Sequence, residues 1–222
     1  MCYTISINKT REFLEKNFGK KFEEGEKFKP SAIIKAFKYP EVPVICQDNP
    51  QKISLLIWGL IPYWVRDVSS AFEIRKKTFN ARIESIKSKP SFKNLIRNNR
   101  CLIVVDGFYE WHDDHGKKFP YFITHKKQEV FALAGLYDRW INPENGVILK
   151  TFTIITTKAN SLLEKIHNTK KRMPIILDNH QMQSLWLEGY MNNDFLQKIS
   201  EPIDDKVLEA IQIDKDFIKE NN

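Results

Sequence analysis

Cys2, Glu110 and His167 are the side chains best suited to making and breaking bonds in this chain of 222 residues. A small residue after the initiator methionine favours its removal, so the mature chain is expected to begin at Cys2. That would place an α-amine and a thiol on adjacent carbons. The amine titrates near ~8 and the thiol near ~8.5, so both have reactive fractions close to neutrality. Such a 1,2-aminothiol condenses with an aldehyde: the amine forms a Schiff base, and the thiol then closes a thiazolidine ring. On position alone, a small buried hydrophobe opening a first strand is the simpler account of Cys2. The other clusters change the balance.

Asp106-Gly107-Phe108-Tyr109-Glu110-Trp111 ends a very apolar run with a carboxylate between two aromatics. Desolvation there raises the pKa of Glu110 toward the range useful in acid–base catalysis, with a structural salt bridge as the competing account. Gly107 suggests a bulge or a close backbone approach. Ile166-His167-Asn168-Thr169-Lys170-Lys171-Arg172-Met173-Pro174 puts a histidine at a helix C-terminus, which favours imidazolium, ahead of a basic loop suited to phosphates. A solvated helix end accounts for it equally well. Thr78-Phe79-Asn80-Ala81-Arg82-Ile83-Glu84 follows the basic Arg75-Lys76-Lys77; Asn80 and Arg82 suit a sugar hydroxyl or a phosphate, or else a helix cap and a solvated ion pair. Trp58 and Trp64 flank a Gly and a Pro, and offer either stacking faces for bases or core aromatics at a strand end. The other four histidines, His112, His115, His125 and His180, lie in polar contexts and read as surface residues.

The elements that must carry these groups are mostly strands. Strand patterns cover Cys2–Ile7, Val42–Cys46, Ile53–Leu60, Cys101–Trp111, Tyr121–His125, Val130–Asp138, Thr151–Thr157 and Met173–Leu177, with a hairpin tip over 111–118. Helical spacing covers Lys9–Phe18, closed by Gly19, and about Ala71–Lys77, Ser91–Asn98, Ser161–His167, Asn179–Leu187 and Asp194–Ile199. Strands in consecutive runs without βαβ alternation predict an α+β fold, a largely antiparallel sheet or barrel with peripheral helices. One domain over residues 1–222 is expected, with 210–222 as a frayed tail.

Composition narrows the class. The 35 Lys plus Arg exceed the 28 Asp plus Glu by 7, a basic balance compatible with a polyanion partner but weak alone. Three distant cysteines, Cys2, Cys46 and Cys101, argue against a disulfide scaffold and a structural zinc, and the latter two read as core. No apolar run reaches membrane-spanning length and no signal-peptide pattern is present, so a soluble cytoplasmic protein without membrane association is expected. Motifs for a zinc protease, an NTPase, a serine hydrolase or a dinucleotide site are missing; no cofactor or metal is expected.

Taken in order, Cys2, FNARIE (79–84), GFYEW (107–111), AGLYDRW (134–140), TTKAN (156–160) and IH…RMPIIL (166–177) resemble the SRAP family, the SOS-response-associated peptidases that process abasic sites. The resemblance runs from residue 2 to about 190. It implies a monomeric protein that captures abasic sites in single-stranded DNA as a thiazolidine crosslink, with autoproteolytic loss of Met1 as a companion activity. It implies Cys2 as nucleophile, Asn80 holding the amine and sugar, Glu110 as the acid–base group in lyase-type Schiff-base chemistry, and His167 assisting at the sugar or phosphate. Arg82 and Arg172 would contact the DNA backbone, with Trp58 and Phe79 packing along its path. The family's usual opening, Met-Cys-Gly-Arg-Phe, here has Tyr3 and Thr4 in place of Gly and Arg, so that phosphate contact is either lost or supplied elsewhere, by Lys76 or Lys171. The usual His-x-Arg-Met-Pro is lengthened by three residues. Two other readings remain: a cysteine peptidase acting in trans, and a non-covalent single-strand binder.

Overall fold

The computed structural model describes residues 2–190 and 192–220. Fourteen strands are formed among them: β1 (Thr4–Ile7), β2 (Lys21–Phe22), β3 (Ser31–Lys35), β4 (Glu41–Cys46), β5 (Lys52–Trp58), β6 (Asn80–Arg82), β7 (Arg100–Val105), β8 (Gly107–Asp114), β9 (Lys117–His125), β10 (Phe131–Ile141), β11 (Ile148–Lys158), β12 (Arg172–Pro174), β13 (Ile176–Leu177) and β14 (Leu208–Gln212). The α-helices are α1 (Arg11–Phe18), α2 (Val68–Arg75), α3 (Leu95–Asn98), α4 (Ser161–Ile166), α5 (His180–Glu188), α6 (Asn193–Ser200) and α7 (Lys215–Glu220).

The larger sheet runs β12-β11-β10-β7-β4-β5-β2, and β11 also pairs in parallel with β5. That extra pairing closes β5, β4, β7, β10 and β11 into a five-stranded barrel. β7 has the barrel interior on one face and α3, α5 and β1 against it outside, so its six residues are all buried, which accounts for the apolar run 101–105. A second sheet runs β14-β9-β8-β1-β3. Along β8, Phe108 faces the main core, while Tyr109 packs with Ile33 and Ile218 in a separate cluster. Glu110 therefore shares the face of Phe108, by the two-residue period of a strand. The mixed α+β class and largely antiparallel pairing are as expected.

Several local expectations hold. Gly19 closes α1 at φ +64°; the helix itself starts at Arg11, two residues later than expected, where Thr10 caps it by accepting from the Phe13 amide. The β8–β9 hairpin turns at His115 and Gly116, both at positive φ. Others are corrected. The Cys101–Trp111 run is broken at Asp106 into two strands belonging to different sheets. Gly107 marks the break: a Cβ there would lie 2.3 Å from the Phe122 ring, so only glycine lets that ring close over the backbone. Asn80 sits in strand β6, not at a helix cap. His125 is buried, 6.2 Å from the Phe131 ring centroid, not on the surface. The expected tail is ordered as far as Glu220: β14 pairs with β9, and Ile218 of α7 packs on Tyr109. Residues 221–222 of that tail, and Met1, lie outside the described residues.

Candidate active site

Cys2 sits just ahead of β1, which pairs with β8 as Thr4↔Tyr109. Continuing that register brings Tyr3 opposite Glu110. β11 supplies the other wall: β6 pairs with it in parallel at Ile154↔Asn80, and β12 pairs with it at Lys158↔Arg172. One strand thus holds Asn80 and the His167–Arg172 loop on its two edges.

The groups converge. Asn80 Nδ2 donates to the Cys2 carbonyl oxygen at 2.8 Å, while its Oδ1 has no hydrogen-bond partner among the described residues. Glu110 Oε2 lies 3.8 Å from His167 Nε2, both residues being buried. Burial first, then the negative charge of Glu110, pushes the Cys2 thiol well above its ordinary pKa. Its Sγ is 3.7 Å from the Thr4 carbonyl oxygen, to which it donates. Burial raises Glu110 to about 7, the expected direction, but Tyr109 and Trp111 belong to the cluster on the opposite face of β8, so the desolvation comes from what packs on the Phe108 face instead.

His167 departs from expectation. It does cap α4, but desolvation outweighs the helix terminus and lowers its pKa to about 4, so the ring is neutral. Its Nδ1 lies 2.8 Å from the Arg172 carbonyl oxygen and 3.3 Å from the Arg172 amide. The shorter contact requires Nδ1–H as donor, which leaves Nε2 as the basic nitrogen toward Glu110. Asn168 clamps this loop to the β8–β9 hairpin: its Oδ1 accepts from the Asp113 amide at 3.0 Å and its Nδ2 donates to the Asp113 carbonyl at 2.8 Å. His112 Nδ1 adds a contact to the Lys165 carbonyl at 2.8 Å. Sequence reasoning passed over Asn168, because a polar loop residue carries no signal of its partner.

The DNA-contact candidates separate into two groups. Arg82 is exposed, and its charge acts on Tyr3. Lys76 and Lys171 are exposed but paired with Glu73 at 2.5 Å and Glu164 at 2.7 Å. Arg172, in contrast, is buried and grips Glu84 through both Nη atoms at 2.6 and 2.9 Å, with Nη2 also donating to the Thr156 carbonyl. This fork ties β12 to the residues after β6, so the guanidinium expected to meet the DNA backbone is engaged with Glu84 in this structure. Trp58 is fully buried, donates to the Phe79 carbonyl at 2.9 Å and stacks on Phe152, so it is core. Phe79 is buried beneath Tyr3 and Phe37. Trp64, the other half of the tryptophan pair, is 44% exposed. Lys170, in the lengthened loop, is exposed and acts electrostatically on both Glu110 and His167.

A cavity of about 770 Å³ is lined by Asp106, Tyr109, Phe122 and His125 and by none of Cys2, Asn80, Glu110 or His167. No cluster of three His, Cys, Asp or Glu able to hold a metal is found among the described residues, and no helix among them is long and apolar enough to cross a membrane.

Comparison with known proteins fits this geometry to a family. The family model described as SOS response associated peptidase (SRAP) matches residues 1–219. The abasic site processing protein YoqW of Bacillus subtilis is 40% identical over 172 residues, which cover 77% of this chain and 73% of that protein. The abasic site processing protein HMCES of Gallus gallus is 35% identical over 64% of this chain and 47% of its own length. A crystal structure of a Bacteroides thetaiotaomicron protein superposes with a TM-score of 0.93 at 34% identity, covering 98% of this chain and 94% of that one. The chain belongs to the SOS response associated peptidase family.

Proposed function

We propose that this protein processes abasic sites in single-stranded DNA by capturing them covalently at Cys2, once Met1 has been removed. The observation that carries the reading is the convergence of four groups: Asn80 on the Cys2 carbonyl, Glu110 opposite the residue after Cys2 and acting by charge on its thiol, and His167 beside Glu110. The relatives named as abasic site processing proteins support the same substrate.

In this reading the neutral Cys2 amine adds to the aldehyde carbon of the ring-opened deoxyribose, giving a carbinolamine. Glu110, near half-protonated at neutrality, donates the proton with which the hydroxyl leaves as water, forming the Schiff base. The Cys2 thiol then gives up its proton and Sγ bonds to the same carbon. The C=N π electrons return to nitrogen, which is reprotonated. The balance is aldehyde plus aminothiol giving thiazolidine plus water, with no redox step. Because burial holds the thiol protonated, this closing step needs a base; the Glu110 carboxylate, with His167 Nε2 behind it, is the group in place. Asn80 fixes the Cys2 backbone, and Arg82 with Lys170 draws the strand in by charge.

The test is an oligonucleotide with one abasic site, incubated with protein whose loss of Met1 has been verified by intact mass. We expect a heat-stable adduct, without borohydride, mapping to residue 2 and lost in Cys2→Ala. An undiminished adduct in Cys2→Ala would overturn the reading.

A further inference from the structure

Beside Cys2 the chain builds an aromatic feature that none of the reacting groups uses. Phe37, in the 3-10 turn Ala36–Lys38 after β3, is 64% exposed. A single exposed Phe is ordinary, but this ring has a supported back. It stacks on Tyr3, with centroids 5.1 Å apart and planes at 27°, and meets Phe79 edge-on at 5.2 Å. Phe79 in turn stacks on Tyr39 at 5.6 Å, and the Arg75 guanidinium lies 3.8 Å from the Tyr39 ring centroid. Of these four rings, Phe37 alone is largely exposed.

The block is held rigidly. Tyr39 adopts φ +52°, a left-handed conformation that a bulky residue keeps only when its surroundings demand it. Gly59, at φ +112°, leaves room for the rings: a Cβ there would lie 3.1 Å from Phe79 and 3.3 Å from Tyr39. The Ala36 amide donates to the Tyr3 carbonyl at 2.9 Å, fastening the Phe37 turn to the residue that follows Cys2. A flat ring already fixed in place loses little freedom on stacking against a ligand. Phe37 stacks on Tyr3, the residue next to the nucleophile, on which the charge of the exposed Arg82 also acts, and this setting points to a nucleobase as the occupant.

We propose that Phe37, backed by Tyr3, is a stacking subsite for the base adjoining the abasic sugar, so that capture is faster where that base is present. The proposal rests on the reading of Cys2 as the capturing residue. Base-on-aromatic stacking predicts an effect of roughly tenfold, larger for purines than for pyrimidines.

The experiment compares single-stranded oligonucleotides in which the nucleotide on either side of the abasic site carries adenine or a tetrahydrofuran spacer without a base. Capture rates are measured at sub-saturating DNA. For the unaltered protein, adenine on one side is expected to raise the rate about tenfold over the spacer. That ratio should fall to about one in Phe37→Ala and persist in Phe37→Trp. An equal ratio in Phe37→Ala, or no ratio in the unaltered protein, overturns the subsite. The same pairs with tetrahydrofuran also at the central position cannot be captured, and their equilibrium binding reads the subsite by itself. Should no oligonucleotide be captured, the reading of Cys2 fails, while this binding arm still decides the role of Phe37.

Discussion

At the scale of single residues, the buried Glu110–His167 pair sets how the protein responds to pH. Burial raises the pKa of Glu110 to about 7 and lowers that of His167 to about 4. For Glu110 the folded state binds its proton more tightly than the unfolded one, so its contribution to stability declines as pH rises from about 4.5 to 7. For His167 the unfolded state binds the proton more tightly, so its contribution grows from about pH 4 to 6.5. The two slopes oppose each other and nearly cancel. Glu110→Gln should leave the histidine slope exposed, with stability rising by up to about 3 kcal/mol between pH 4 and 6.5. Thermal melts across that range check this; a flat profile would count against the assignment. Schiff-base formation uses the protonated Glu110 and ring closing its carboxylate; with ring closing as the slow step, the capture rate should rise through an inflection near pH 7. In Glu110→Gln that inflection should vanish, leaving only the rise set by the α-amine near ~8, and the rate at pH 7.5 should fall roughly 100-fold.

At the scale of elements, the geometry depends on tying the loop after α4 to the β8–β9 hairpin. The reciprocal hydrogen bonds between Asn168 and the Asp113 backbone make that tie. Asn168→Ala leaves a part-buried amide and carbonyl of Asp113 without their partners, at a cost of about 1–3 kcal/mol. The variant should melt lower and capture abasic DNA about tenfold more slowly, while Asn168→Asp, which keeps the acceptor for the Asp113 amide, should recover part of the rate. Equal rates for Asn168→Ala and the unaltered protein would show that His167 keeps its place without the clamp.

At the scale of the whole molecule, the barrel has no open edge among its five strands, but the smaller sheet needs β14 to cover β9. Leu208 is buried in the main core and Ile218 in the cluster around Tyr109, directly behind the strand that carries Glu110. Removing residues 208–222 should cost about 3 kcal/mol or more from lost apolar burial alone, roughly 6–12 °C in melting temperature. The bared edge of β9 should also promote association, visible by light scattering. A truncated protein that melts unchanged and stays dispersed would contradict this account.

Composition and local pattern were enough to read the class of fold, the long strands and the Gly19 cap of α1, because burial imposes a period on the residues themselves and a left-handed helix end favours glycine. The direction of the Glu110 pKa was expected from Tyr109 and Trp111, but these rings lie on the other face of β8, and the burial that raises it comes from strands distant in the chain. The break at Asp106, the short strand β6 and the pairing of β14 were not, because each depends on a partner strand distant in sequence. Trp58 and Arg172 looked alike in sequence to surface groups that meet DNA, yet Phe152 covers one and Glu84 grips the other. Only tertiary structure decided that His167 is neutral: a helix C-terminus favours the cation, but desolvation among β8, β12 and α4 costs more than the terminus returns.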